Sequence, residues 1–297
     1  MNFDGLLVID KPRGMTSRDA VDRVQRWFPR KTRIGHTGTL DPLATGVLVV
    51  CIGTATRLTE YVQNMPKVYR AGITLGATSD TDDADGVVTP TPDAILPEVG
   101  KIEQELTAFV GKIEQVPPSY SAAKVHGRRA YALARKGTEF DLNPRPVTIH
   151  RIELLQYQPP NLEVLVRCGK GTYIRSLARD LGVRLSCGGY IASLRRLSVG
   201  CFTEKEAVHI DADGATAHER LLPAWRAVQD WPPIALSEDE TVKLRNGQQI
   251  AQPNDLALHG DCTEMAVLDH TGNTLAIVER IDGRLRPMKV LVGAEAR

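Results

Sequence analysis

The chain has 297 residues, long enough for a well-buried core and for one large domain or two unequal ones. Hydrophobic residues make up 42% and charged residues 25%, ordinary values for a soluble globular protein, which argues against a disordered or fibrous chain. No apolar run approaches the ~20 residues of a membrane span. The start Met1-Asn2-Phe3-Asp4 lacks the basic region of a secretory signal, so no membrane partner and a cytoplasmic location are expected. The net charge of +1 hides an uneven distribution. Residues 1–40 carry eight Lys/Arg against four Asp/Glu, 117–146 six against two, and 167–205 eight against two, while 206–240 reverse to two against eight. Such blocks fit a polyanion-binding face, although solvated surfaces also vary this way. The five cysteines are scattered and form no C-x-x-C pair, so buried thiols are expected rather than a metal site.

In chain order, Leu6–Ile9 reads as a buried strand followed by the turn Asp10-Lys11-Pro12-Arg13-Gly14. Thr16 and Asp19 have capping-box spacing, and Val21, Val24, Trp27 and Phe28 form a helical stripe that Pro29 ends. A glycine-rich loop with Asp41 leads into a strand over Val47–Ile52, then a helix over Thr54–Val62 and a strand over Val68–Gly76. An acidic loop, Ser79–Gly86, precedes a helix over Glu98–Val110 and a basic insertion over about 117–146. Strands are expected at Val147–Leu155 and Leu162–Cys168, a helix at Thr172–Leu185, a strand at Tyr190–Val199 and a helix near Thr216–Trp225. Trp231-Pro232-Pro233 suggests a boundary close to residue 230. Beyond it, short strands separated by Asn246-Gly247, His259-Gly260, Thr271-Gly272 and Asp282-Gly283 predict a small all-β module. The fold class is α+β: a mixed β-sheet domain over 1–230 with flanking helices, and a small β domain over 231–297.

Gly35-His36-Thr37-Gly38-Thr39-Leu40-Asp41-Pro42-Leu43-Ala44-Thr45-Gly46-Val47-Leu48 holds one carboxylate beside a buried strand. Read alone, Asp41-Pro42 is an ordinary turn dipeptide, and the displayed acid is a candidate nucleophile. The G-x-x-x-x-G-K-[ST] spacing of a phosphate-cradling loop is absent. The long string resembles the signature of the TruB-type tRNA pseudouridine synthases. Further blocks resemble the same family in the same order: Leu7-Val8-Ile9-Asp10-Lys11-Pro12-Arg13-Gly14, Lys67-Val68-Tyr69-Arg70, Ser121-Ala122-Ala123-Lys124-Val125-His126-Gly127-Arg128-Arg129, Cys168-Gly169-Lys170-Gly171-Thr172-Tyr173-Ile174-Arg175, and Leu194-Arg195-Arg196-Leu197-Ser198. Ala123 stands where leucine is commoner.

The resemblance implies a pseudouridine-synthase fold with an RNA-clamping insertion at 117–146 and a PUA-like C-terminal domain. It implies isomerisation of uridine to pseudouridine at position 55 of the tRNA T-loop after base flipping. Asp41 becomes the essential carboxylate, Arg175 its partner, Tyr69 and Tyr173 the aromatic holders of the base, and Leu194 an apolar wall. Lys11 is expected to pack its turn against the Asp41 loop. His36 is either a plug for the vacated stack or a loop histidine bonded to backbone. Lys124, Arg128 and Arg129, with Arg135 and Lys136, are expected on RNA phosphates. The isomerisation gains and loses no atom, so neither a cofactor nor a metal is called for. The T-arm of tRNA is the expected partner of a monomer that needs no protein partner. A guide-RNA-dependent synthase and an RNA-folding chaperone with a vestigial site are the competing readings.

Overall fold

The computed structural model describes residues 3–121, 124–125, 128–134, 140–231, 233–253, 263–268 and 274–291. One ten-stranded sheet dominates it. Its strands are β1 (Gly5–Lys11), β2 (Ile34–His36), β3 (Thr45–Ile52), β4 (Lys67–Leu75), β5 (Gly111–Gln115), β6 (Arg145–Gln158), β7 (Asn161–Cys168), β8 (Gly189–Val199), β9 (Phe202–Thr203) and β10 (Val208–His209). The order is β10-β1-β3-β8-β4-β7-β6-β5, with β2 on β3 and β9 on β8. Most pairs are antiparallel, but β1/β10 and β3/β8 are parallel, so the sheet is mixed.

The sequence explains which strands lie deepest. In β3, Gly46–Ile52 are all buried, as an unbroken apolar run requires of a strand covered on both faces. In β4 burial largely alternates, so one face meets the core and the other is more open. One face carries the core of Leu7, Ile9, Leu48, Tyr69, Leu177 and Leu194. The opposite face, under β1 and β3, is closed by Leu6, Val8, Val47 and Val49 packing on Leu58, Val62, Ala266 and Ile277.

Ala266 and Ile277 belong to a five-stranded C-terminal sheet ordered Pro233–Ala235, Glu264–Leu268, Thr274–Ile281, Arg284–Val290, Ile250–Ala251. It has its own apolar cluster of Leu244, Met265, Val267, Val278 and Leu285. Lys289 Nζ donates to Arg57 O at 2.9 Å and pairs with Glu60, tying this sheet to the face opposite Tyr69 and Leu194. Asp282 and Gly283 have φ of 49° and 72°, the conformation of a two-residue hairpin turn.

The structure departs from the sequence expectations at several elements. The first helix spans Ser17–Gln25 behind the Thr16/Asp19 capping box and ends before Trp27, so Pro29 does not terminate it. Thr54–Val62 divides into a 3-10 turn, Gly53–Leu58, and an α-helix, Thr59–Asn64. The helix expected near Thr216–Trp225 is two pieces, Gly214–Glu219 and Ala224–Val228, because Pro223 cannot continue a helix. Asn246-Gly247 closes a helix, Glu238–Arg245, that Ser237 caps, rather than joining two strands. The turns at His259-Gly260 and Thr271-Gly272 lie outside the described residues.

Candidate active site

The loop from Thr37 to Ala44 is pinned on three sides. Thr37 N–H donates to Val49 O at 3.0 Å, and Gly14 N–H to Pro42 O at 2.8 Å. The buried Ser17 hydroxyl accepts from Leu40 N–H at 2.8 Å and donates to Leu40 O at 3.1 Å. The turn after β1 and the start of the first helix therefore clasp the loop. Gly46 is a position that only glycine fits: its φ is +95°, and a Cβ there would lie 2.3 Å from Arg196 O. Lys11 is fully buried below the loop, its ammonium donating to Pro12 O at 2.9 Å and Met15 O at 2.6 Å. Burial lowers its pKa to about 8, against the upward pull of Asp41.

The loop presents Asp41 to a pocket of about 530 Å³, a size suited to one nucleoside. Asp41 Oδ2 lies 2.9 Å from Arg175 Nε. That nitrogen has no well-aligned acceptor, so the contact is an ion pair with the N–H off-line. Arg175 is the second residue of the helix Ile174–Arg184 and is 4% exposed. Its Nη1 donates to Thr81 O at 2.9 Å and lies 3.2 Å from Asp83 Oδ2, and its Nη2 donates to Tyr120 O at 2.9 Å. One guanidinium thus sits between two carboxylates. Burial pushes the Asp41 carboxyl above its ordinary value; Arg175 pulls it down, Asp83 pushes it up and Lys11 pulls it down. About a third of the Asp41 side chain stays open to the pocket, so the carboxylate can meet a substrate.

The other wall is built by β4 and β8, where Tyr69 and Arg196 are cross-strand partners. Tyr69 is buried, and desolvation raises its phenol pKa, so the hydroxyl is a neutral group at neutral pH. Arg196 is 2% exposed and donates to Val47 O at 2.7 Å, Gly38 O at 3.1 Å and Tyr69 Oη at 3.4 Å. It ties the Asp41 loop, the central strand and the tyrosine together. Arg196 lies in the Leu194–Ser198 block, where the sequence assigns it no role. The signal was the period of two from Leu194, which puts both side chains on the pocket face.

Leu194 and Tyr173 line the pocket with Tyr69. Tyr173 immediately precedes the helix, and its backbone is held by Gln115, a residue the sequence did not single out. Gln115 Oε1 accepts from Tyr173 N–H at 2.8 Å and its Nε2 donates to Tyr173 O at 3.0 Å. His36 stands at the end of β2, one residue before the pocket-lining Thr37. Its buried Nδ1 has no hydrogen-bond partner, and burial, then Arg196 and Arg18, lower its pKa. Lys124–Val125 pairs antiparallel with Arg128–Arg129. The side chains of Lys124, Arg128 and Arg129, and all of Arg135 and Lys136, lie outside the described residues.

The fold, with a carboxylate–arginine pair lining its nucleoside-sized pocket, is that of a pseudouridine-synthase catalytic domain, as the matches to known proteins show. The fold is shared with a solved Cbf5-Nop10-Gar1 complex (TM-score 0.74, 24% identity, 97% of this chain and 85% of that one). It is also shared with a Cbf5 chain in an archaeal box H/ACA Nop10-Cbf5 complex (TM-score 0.71, 22% identity, 98% and 87%). Residues 26–174 match the N-terminal domain of the TruB family pseudouridylate synthases, and 175–215 match the tRNA pseudouridylate synthase B C-terminal domain. Relatives called tRNA pseudouridine synthase B include one from Pseudomonas fluorescens Pf0-1, 40% identical over 98% of this chain and 96% of its own length. Another, from Clostridium kluyveri, is 41% identical over 86% and 88%. The chain belongs to the TruB family of pseudouridylate synthases.

Proposed function

We propose that this protein isomerises uridine to pseudouridine at position 55 in the T-loop of tRNA, acting in the cytoplasm as a monomer that needs neither a guide RNA nor a protein partner. The observation that carries this reading is the Asp41–Arg175 pair facing the Tyr69, Leu194 and Tyr173 walls of one nucleoside-sized pocket. The target base is flipped out of its stack at a cost of a few kcal/mol. Its N1–C1′ bond breaks, and the Asp41 carboxylate meets the positive charge that develops at ribose C1′. The uracil turns between Tyr69 and Leu194, C5 joins C1′, and the C5 proton is lost as N1 gains one, so no atom is gained or lost overall. Arg175 keeps Asp41 charged and aimed.

His36 fills the space the base leaves, which suits its lowered pKa because a neutral imidazole stacks readily. The insertion at 117–146 clamps RNA phosphates. The PUA-like sheet over 231–297 braces the catalytic domain, in keeping with its docking on the face opposite Tyr69. The test is to incubate purified protein with an unmodified tRNA transcript and map pseudouridine. Product at position 55 without guide RNA is expected; a folded, RNA-binding protein that forms none would favour a chaperone. Arg128→Ala with Arg129→Ala should weaken binding and flatten its salt slope.

A further inference from the structure

The pocket contains two cations that the Asp41 chemistry leaves without a task. Arg196 is 2% exposed and Lys67 is 7% exposed, and both line the cavity. Among the described residues neither is paired with a carboxylate: Lys67 Nζ donates to Gln63 O and to Met65 O at 2.7 Å, and Arg196 bonds only carbonyls and the Tyr69 hydroxyl. Three hydrogen bonds use three of the five guanidinium donors. Burying an uncompensated charge is costly, and carbonyl dipoles repay only part of that. Two such charges on one wall therefore call for an electron-rich partner within the pocket.

The two sides differ in charge. Asp41 and Asp83 with Arg175 and the buried Lys11 sum to 0, while Arg196 and Lys67 sum to +2. Heterolysis of the N1–C1′ bond creates a cation at C1′, which the Asp41 carboxylate faces, and an anion on the base, which the surplus positive charge suits. The electron pair stays on N1 and spreads into the O2 and O4 carbonyls of uracil, while C1′ becomes positive. An RNA phosphate is the other electron-rich candidate, but it stays on the outside of the strand. The exposed rim residues Lys170 and Arg145 suit it better than groups this deep.

We propose that Arg196 and Lys67 form an anion site for the detached uracil, their N–H groups donating to its carbonyl oxygens while the base turns. This rests on the isomerase reading above. The two residues transfer no proton: the N1 electron pair returns as C5 bonds to C1′, the C5 proton departs and N1 is protonated. Arg196 is then a catalytic residue that touches the base, beyond its bracing of Gly38 and Tyr69.

The test varies the leaving group. A 5-fluoro substituent makes uracil a weaker base and a better leaving group, so it needs less help from a cation. Arg196→Met, Arg196→Lys and Lys67→Gln are compared with wild type in single-turnover reactions on tRNA with uridine or 5-fluorouridine at the target. Breakage of the N1–C1′ bond is read as loss of the N-nucleoside after nuclease digestion. Arg196→Met should slow uridine by about 10²–10³-fold, the usual effect of removing a preorganised donor. It should slow 5-fluorouridine at least tenfold less, with tRNA affinity changed only a few-fold. Arg196→Lys should recover part of the rate, and Lys67→Gln should show the same substrate contrast on a smaller scale. If Arg196→Met fails to fold, as its melting transition would show, Arg196→Lys and Lys67→Gln decide the matter. Equal slowing on both substrates in the folded variants, with wild type active, overturns the anion site. A wild type inactive on tRNA overturns the isomerase reading instead.

Discussion

Two buried arginines line one pocket, and their surroundings differ. Arg175 lies between Asp41 and Asp83 and bonds Thr81 O and Tyr120 O. Arg196, which also lines the cavity, bonds Val47 O, Gly38 O and the Tyr69 hydroxyl, with no carboxylate paired to it among the described residues. The first is neutralised by its neighbours and serves to hold an acid; the second keeps its charge for what enters. The lesson is that a buried cation's role is read from its counter-charges more than from its burial.

Breaking the first side of this comparison gives the largest effects. Asp41→Asn should abolish turnover while leaving tRNA affinity within a few-fold, because the carboxylate acts in chemistry and not in docking; single-turnover kinetics and filter binding check both. Near-normal turnover would falsify the assignment. Arg175→Met should lower the rate by about 10²–10³-fold. It leaves Asp83 buried without its cation, so about 3–5 kcal/mol of stability should be lost in denaturant unfolding.

Asp83→Asn is subtler. It should cost about tenfold in rate, the worth of one charge-assisted contact. It also moves the acid limb. Turnover needs ionised Asp41, whose pKa burial raises above 3.8, so activity is present above the raised pKa and lost as pH falls through it. Asp83 is one of the groups pushing that pKa up, so the limb of Asp83→Asn should shift to lower pH, as a pH–rate profile would show. The smallest expected effect on rate is that of Gln115→Leu. It leaves the Tyr173 N–H without a partner, while Tyr173 O keeps the Leu177 N–H, and should cost about 1–3 kcal/mol of stability with turnover changed only a few-fold.

Legibility in the sequence followed locality. The Thr16/Asp19 capping box, the apolar run into Ile52 and the alternation through β4 are patterns of neighbouring residues, and they mark their elements directly. The helix Glu238–Arg245 carried the same kind of mark in Ser237 and Glu240 but was obscured by the turn-like Asn246-Gly247 at its end. The pairing of Asp41 with Arg175 joins residues 134 apart, and only the family resemblance pointed to it. Asp83 sits among Asp80, Asp82 and Asp85, and nothing in that string says which acid turns inward. Gln115 and Lys67 become informative only once strands and helices assemble, because their partners lie on other elements or on loop carbonyls.

The most direct measurement is a crystal structure of the protein bound to a tRNA T-arm with the target nucleotide flipped. The Asp41 carboxylate should lie beside ribose C1′, and the uracil carbonyl oxygens within hydrogen-bond distance of Arg196 or Lys67. A base seated in the pocket with its carbonyls turned away from both cations, or a ribose remote from Asp41, would contradict the division of labour between the two walls.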